Sequence, residues 1–143
     1  MTKDLFLAIL SMDAYNRGYN AGITGLSDEI GTQIGNATIS NRASSLPNSP
    51  EFAAGFYAVA YEDVTYGKII AYRGTDNPDL WTDDIAGGSD VWNGYGLGVG
   101  SPYAEQGRLA AEFYQAVTGT QISDPLAESA SLTRHSLGGG LAA

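Results

Sequence analysis

Two apolar runs, GFYAVAY (residues 55–61) and KIIAY (68–72), constrain the fold of this chain more than any other feature. Both are rich in aromatic and aliphatic residues, as buried strands are, and both are too short to read as helices. The intervening EDVTYG is polar and ends in glycine, which is typical of a turn. The pattern therefore predicts a hairpin of two buried β-strands.

The chain begins with apolar residues at helical spacing, which predict an amphipathic first helix. Thr2 is placed to cap the start of this helix, and Gly18 is placed to end it. The apolar positions that recur at helical spacing are Leu5, Ala8, Ile9, Met12 and Tyr15.

A second helix is predicted by Leu109, Phe113 and Val117, which recur every four residues until Gly119. Ser101 and Pro102 precede it as a cap residue and a first-turn proline. SASLT (129–133) follows as a short strand, whereas residues 18–50, rich in Gly, Asn, Ser and Thr, are predicted to be mostly irregular. Together these elements predict one α/β domain spanning residues 1–143.

The charge balance disfavours several classes of partner and ligand. Sixteen acidic against seven basic residues give a net charge of -9, which disfavours binding to nucleic acid or to anionic membrane surfaces. The chain has no cysteine and a single histidine, and its acidic cluster lacks the regular spacing of a calcium loop. We therefore predict neither a metal site nor a cofactor. The acidic cluster consists of Asp76, Asp79, Asp83 and Asp84.

The first ten residues, MTKDLFLAIL, contain an apolar run too short for the core of a secretory signal or for a membrane span. Two alternatives remain for localisation: an intracellular protein, or one whose leader has been removed.

The stretch LTRHSLGGGLAA (132–143) combines a strand end, a serine and the apolar start of a helix. Ser136 lies between His135 and Leu137, and three glycines follow. This is the arrangement of a nucleophile elbow, in which a tight turn lifts the serine hydroxyl towards the backbone N–H groups of the next helix. A serine before glycines is also common as a turn residue or helix cap, so the stretch alone leaves both interpretations open.

Two motifs in sequence order resemble the class 3 lipases. TRHSLGG (133–139) is similar to the T-G-H-S-L-G-G elbow of that family, and IIAYRGTD (69–76) is similar to its hydrophobic strand ending in F-R-G-S/T. Trp81 and Asp84 match the W-x-x-D that commonly follows. The resemblance covers residues 55–143. It implies part of an α/β-hydrolase fold, with a lipid or another acyl ester as substrate, as in a triacylglycerol lipase or a phospholipase A1, and a secreted origin is compatible with it.

The same resemblance implies roles for individual residues. Ser136 would be the acyl nucleophile, and the backbone N–H groups of Thr75 and Leu137 would form the oxyanion hole. The residues expected in a lid or acyl pocket are Leu80, Trp81 and Ile85. Trp81 is equally well interpreted as a core anchor. Arg73 and Asp84 are interpreted as structural residues that form an ion pair or satisfy loop carbonyls.

The chain departs from the family pattern at two points. Arg134 stands where the elbow normally has glycine, which strains the turn. In this fold the base and its acidic partner follow the serine, but His135 is the only histidine and, as the neighbour of Ser136, should point away from it.

We therefore expect the N-terminal part of a hydrolase, up to and including the elbow. By itself it should be nearly inactive. Its incomplete sheet would leave strand 129–133 as an open edge, which predicts a homo-oligomer or a complex with a missing C-terminal fragment. The alternative is a truncated or degenerate hydrolase that binds or assembles without catalysis. A peptidase or thioesterase with the same elbow fits the upstream motif less well.

Overall fold

The computed structural model of the chain describes residues 1–19, 26–73, 105–120 and 130–134. In these ranges the chain forms a mixed five-stranded sheet with helices, so the fold is of the α/β type. The elements in chain order are α1 (Lys3–Tyr15), β1 (Gln33–Ile34), β2 (Ala37–Arg42), α2 (Pro50–Ala53), β3 (Ala58–Asp63), β4 (Gly67–Tyr72), α3 (Glu105–Thr118) and β5 (Ser131–Arg134).

The predicted hairpin is confirmed as strands β3 and β4, which pair antiparallel along their whole length. Its turn is held by Asp63, whose Oδ1 accepts hydrogen bonds of 2.8 Å from the backbone N–H groups of Thr65 and Tyr66. Gly67 ends the turn with a φ of 69°, a conformation that favours glycine. The strands lie in the order β1-β2-β3-β4-β5, with every neighbouring pair antiparallel except β4 and β5, which are parallel.

The segment of residues 18–50, predicted to be mostly irregular, contains two strands that were not predicted, β1 and β2. In β2, Ala37 and Ile39 are buried while the residues between and after them are only half-buried. Such a strand has a short and weakly apolar local pattern. Its pairing with β3, some twenty residues further along the chain, supplies the stabilisation that no local window can reveal.

Helix α1 forms where it was predicted, but its buried face is not the one that the spacing suggested. The hydroxyl of Thr2 accepts a 3.4 Å hydrogen bond from the N–H of Leu5, which confirms the N-cap, and Gly18 follows the helix with a φ of 71°. The apolar side chains of this helix that enter the core are Phe6, Leu10 and Ala14, while Leu5, Ala8, Ile9 and Met12 are exposed and Tyr15 is half-buried. The helix is apolar on both sides, so periodicity alone could not select the buried one.

Helices α1 and α3 cover opposite faces of the sheet. The phenol of Tyr61 donates to Asp13 of α1, and the phenol of Tyr72 donates to the carbonyl of Ala110 of α3. Tyr61 of β3 pairs with Ile69 of β4, so these two side chains lie on the same face of the sheet. Successive residues of a strand point to alternate faces, so Tyr72, three positions after Ile69, lies on the opposite face. The buried apolar side chains of the described residues form a single cluster across both faces.

The predicted second helix is confirmed as α3, with Leu109 and Phe113 buried and Gly119 at its end in a positive-φ conformation. The predicted start at Ser101 and Pro102 lies outside the described residues. Strand β5 lies within one or two residues of the predicted strand and is the last in the sheet order of the described ranges. Within those ranges, no helix is both long enough and apolar enough to cross a membrane.

Candidate active site

The carboxyl ends of β4 and β5 lie side by side at one edge of the sheet. The two strands are parallel, and the register places Tyr72, the last residue of β4, opposite Arg134, the last residue of β5. Neighbouring strands are about 4.8 Å apart. The RGT segment containing Thr75 and the HSLGG segment containing Ser136 therefore begin at the ends of neighbouring strands.

The predicted site residues themselves lie outside the described residues. They are Thr75, Leu80, Trp81, Ile85, Ser136 and Leu137, and with them Asp84 and His135. The structure describes the strand ends from which these segments continue, and the packing that fixes those ends.

Arg73 anchors the end of β4. Its side chain is 3% exposed, and its guanidinium lies over the rings of Tyr19 and Tyr57, at 4.4 and 4.7 Å from their centroids. Nη1 donates to the carbonyls of Arg17 and Tyr19 at 3.0 and 2.5 Å, and the backbone N–H donates to the carbonyl of Tyr57. The interpretation of Arg73 as a structural residue that satisfies loop carbonyls is confirmed. The end of β4 is thereby tied to the turn after α1.

A second buried arginine holds that turn. Arg17 donates from Nε and Nη2 to the two carboxylate oxygens of Asp13, each at 2.6 Å, and from Nη1 to the carbonyl of Ser27. The hydrogen bonds to Asp13 outweigh desolvation and raise the pKa of Arg17. Tyr61 donates to the same carboxylate at 2.8 Å, so both charges of the pair are hydrogen-bonded within the fold.

Tyr57 links this region to a third carboxylate. Its phenol donates to Oδ2 of Asp28 at 3.1 Å, and the same oxygen accepts a hydrogen bond from Ser45 and is 3.4 Å from Nε of Arg42. Burial, followed by the charge of Asp28, raises the pKa of Tyr57. The phenol is therefore a hydrogen-bond donor at neutral pH and supports the ring against which Arg73 stacks.

Sequence reasoning missed this cluster of buried polar groups. The spacing of Asp13 and Arg17 was a usable signal, because residues four apart across the end of a helix can still pair. The contact of Arg73 with the carbonyls of Arg17 and Tyr19 had no local signal, since it joins residues more than fifty positions apart.

Strand β5 is regular through Arg134. The hydroxyl of Thr133 is turned towards α1 and donates to the carbonyl of Leu7 at 3.0 Å, whereas the side chain of Arg134 is exposed. A long side chain at this position is therefore accommodated by pointing away from the packed face.

A groove of about 260 Å³ lies at the same edge of the sheet, between α3 and the end of β2. Its apolar part is formed by Ala43, Phe56, Leu109, Phe113 and Ala116, and polar side chains of Asn41, Arg42, Glu51 and Glu112 line the rest. The Phe56 ring is 6.2 Å from that of Tyr72, the register partner of Arg134. The groove therefore lies on the β2 side of the end of β4, away from β5 in the strand order.

Comparisons with protein-family models, with curated proteins and with solved structures found no significant match for this chain. Among the described residues, no three acidic or histidine side chains converge in a way that could hold a metal ion. A functional assignment therefore depends on the residues themselves and on the arrangement of the two strand ends.

Proposed function

We propose that this chain carries the nucleophile and the oxyanion hole of a serine carboxylic-ester hydrolase of the class 3 lipase type. Ser136 attacks the ester carbonyl. The backbone N–H groups of Thr75 and Leu137 stabilise the oxyanion that develops, since two preorganised donors act most strongly where charge appears in the transition state.

One observation carries this proposal: β4 and β5 are parallel neighbours whose last residues, Tyr72 and Arg134, are in register. Ligands of α/β folds bind outside the carboxyl ends of parallel strands. The segments that contain the predicted oxyanion donor and the predicted nucleophile therefore follow neighbouring strand ends, as acyl transfer requires.

The anchoring of β4 also supports the proposal. An oxyanion hole must be rigid before the reaction begins, because reorganisation during the reaction reduces its contribution. Arg73 is buried and hydrogen-bonded two residues before Thr75, and this holds the chain firmly just ahead of the predicted donor.

The proposal requires a general base that these residues do not supply. His135 is the only histidine of the sequence and is adjacent to Ser136. Serine hydrolases deprived of their triad partners retain a rate of roughly 10³–10⁴ over water from the oxyanion hole and binding. We therefore expect the chain alone to hydrolyse p-nitrophenyl esters slowly and with little dependence on the Ser136 hydroxyl, and we expect free imidazole, added as a base, to give a saturable increase that requires Ser136.

The experiment compares the chain with Ser136→Ala and with Ser131→Ala, a matched change in β5. Intact mass after incubation with a fluorophosphonate and imidazole reports modification of the serine directly. The proposal predicts that Ser131→Ala behaves like the parent and that Ser136→Ala loses both the imidazole-stimulated rate and the labelling. Equal imidazole-stimulated rates and equal labelling of the parent and Ser136→Ala would instead support a non-catalytic role in binding or assembly.

The groove beside Phe56 is the proposed site for the acyl chain. Ala116 is exposed at its margin, so Ala116→Trp should fill it, while Ala111→Trp makes the same change at an exposed position of α3 that does not line the groove. We expect Ala116→Trp to lower the Ser136-dependent rate with laurate esters by at least tenfold relative to acetate esters. An unchanged ratio would remove the groove from the site.

A further inference from the structure

Strand β5 is short and has few backbone attachments within the described residues. It comprises four residues, and in the described ranges it is the last strand of the sheet, so its ladder runs along β4 only. The end of such a strand opens more readily than a strand that is paired on both sides, because fewer contacts must break. The segment that contains Ser136 continues from this end.

One side chain of β5 supplies a second attachment. Thr133 is the only buried residue of the strand, and its register partner is Ala71 of β4. The small side chain of Ala71 leaves room for α1 on this face of the sheet. The hydroxyl of Thr133 donates a 3.0 Å hydrogen bond to the carbonyl of Leu7, 126 positions earlier in the chain.

The carbonyl of Leu7 lies inside α1 and can accept this bond without losing its helical partner. A carbonyl oxygen has two lone pairs, so it accepts both from the backbone N–H four residues later and from Thr133. Ser11, one turn further along α1, is also buried, but its hydroxyl has no hydrogen-bond partner among the described residues. Of these two buried hydroxyls, only that of Thr133 fastens β5 to the helix.

The end of β4 is held by the turn that follows the same helix. Arg73 donates to the carbonyls of Arg17 and Tyr19 in that turn, whereas Thr133 donates to the helix itself. The ends of β4 and β5 are therefore paired with each other and are also fastened to one continuous segment of the chain. Such a common support matters for acyl transfer, since a misplacement of about 1 Å can lower a rate about 10²-fold.

We propose that Thr133 is a positioning residue of the hydrolase. By docking the end of β5 on α1, its hydroxyl sets where Ser136, three residues later, stands relative to the oxyanion donors. Thr133 acts through the backbone and takes no part in bond making or bond breaking. The inference rests on the proposed function, because a positioning role requires a reaction.

Thr133→Val tests this role, because valine has nearly the shape of threonine and favours strands but carries no hydroxyl. Thr133→Ser keeps the hydroxyl and is the conservative variant. Ser11→Ala is the matched control, since it removes a buried hydroxyl that makes no hydrogen bond within the described residues. Circular dichroism confirms that each variant is folded, and Thr133→Ala takes the place of Thr133→Val if valine prevents folding.

The first measurement is the imidazole-stimulated hydrolysis of p-nitrophenyl acetate that requires Ser136. In Thr133→Val we expect the rate at saturating ester to fall about tenfold or more while KM stays unchanged, because misplacement affects the reacting atoms rather than ester binding. Thr133→Ser should recover most of the rate, and Ser11→Ala should equal the parent. Equal rates in the parent and Thr133→Val would overturn the positioning role, as would an equal loss in Thr133→Ser.

Deuterium uptake of residues 131–134, measured by mass spectrometry after peptic digestion, tests the docking without relying on catalysis. Thr133→Val should exchange about fivefold faster than the parent in this strand, whereas Thr133→Ser and Ser11→Ala should not. Unchanged exchange in Thr133→Val would overturn the docking of β5 whatever the rates are. Faster exchange together with a parent chain that has no Ser136-dependent rate would overturn the hydrolase assignment and the positioning role, but not the contact between β5 and α1.

Discussion

At the scale of single residues, two buried arginines join the turn after α1 to the sheet in the described part of the chain. Arg17 and Arg73 are 4% and 3% exposed, and such cations are stable in a core only when their donors are satisfied. Arg17 is paired with Asp13, and Arg73 lies against the rings of Tyr19 and Tyr57 and donates to two backbone carbonyls. Both side chains converge on the turn after α1, which makes that turn a rigid support for the end of β4.

Replacing Arg73 should reveal how much this support contributes. Arg73→Met removes two charge-assisted hydrogen bonds and two cation–π contacts, so we expect the free energy of unfolding in urea to fall by about 3 kcal/mol. Arg73→Lys should also destabilise the fold, because an ammonium lacks the planar group that stacks on a ring and donates in a fork. Arg108→Lys is the matched control at a fully exposed ion pair and should have little effect. Equal effects at positions 73 and 108 would contradict the structural role of Arg73.

The sequence indicated a structural role for Arg73 but not its partners. A motif identifies residues that are close along the chain, and it placed Arg73 correctly at the end of a strand. The carbonyls that Arg73 contacts belong to Arg17 and Tyr19, and they meet it only after the sheet and α1 have packed together. Contacts of this range depend on the tertiary fold and leave no trace in local periodicity.

At the scale of elements, the end of α1 depends on a close approach between Gly18 and the ring of Tyr57. Gly18 has a φ of 71°, and a Cβ atom at this position would lie within 3.0 Å of that ring. Gly67 has almost the same φ, at 69°, with open space where its Cβ would lie. A comparison of the two glycines therefore separates the cost of a side chain at positive φ, which both positions share, from the cost of a clash with the Tyr57 ring, which arises only at Gly18.

Gly67→Ala should cost about 1–2 kcal/mol in the free energy of unfolding, since alanine is strained at positive φ. Gly18→Ala carries the same strain and also displaces the Tyr57 ring, so we expect an additional loss of about 1–3 kcal/mol. Urea denaturation of both variants measures the difference. If the two variants were equally stable, the packing of Gly18 against Tyr57 would not contribute to the stability of the turn.

Elements with a strong local pattern were predicted well. The β3–β4 hairpin and α3 each place large apolar side chains at the period of their own secondary structure, so a short window suffices to recognise them. Strand β2 lacks such a pattern, because only Ala37 and Ile39 are buried and the remaining residues are polar. Its existence follows from the ladder with β3. The buried side of α1 was likewise ambiguous, since both sides are apolar.

At the scale of the whole molecule, buried tyrosines link the sheet to both helices. Tyr61 donates to Asp13 of α1, Tyr72 donates to Ala110 of α3, and Tyr57 donates to Asp28. Burial is the main cause that raises the pKa of each phenol well above its ordinary value. The folded state therefore binds these protons more tightly than the unfolded state does.

The sign of the resulting pH dependence follows from linkage. Below the ordinary tyrosine pKa of about 10, the phenols are protonated in both states and the free energy of unfolding does not depend on them. Above about pH 10 the unfolded chain releases protons that the folded chain retains. Stability should then fall by about 1.4 kcal/mol per pH unit for each such tyrosine, until the folded-state pKa is reached.

Urea unfolding of the parent chain and of Tyr72→Phe across pH 8 to 11.5 tests this expectation. Tyr72→Phe loses one hydrogen bond, so it should be less stable by about 1 kcal/mol at pH 8. It also removes one retained proton, so its stability should decline less steeply above pH 10, and the two curves should converge. Tyrosinate absorbance recorded in the same samples reports whether buried phenols ionise only as the protein unfolds. Parallel curves above pH 10, or ionisation of all nine tyrosines before the loss of circular dichroism, would show that these phenols do not couple the helices to the sheet.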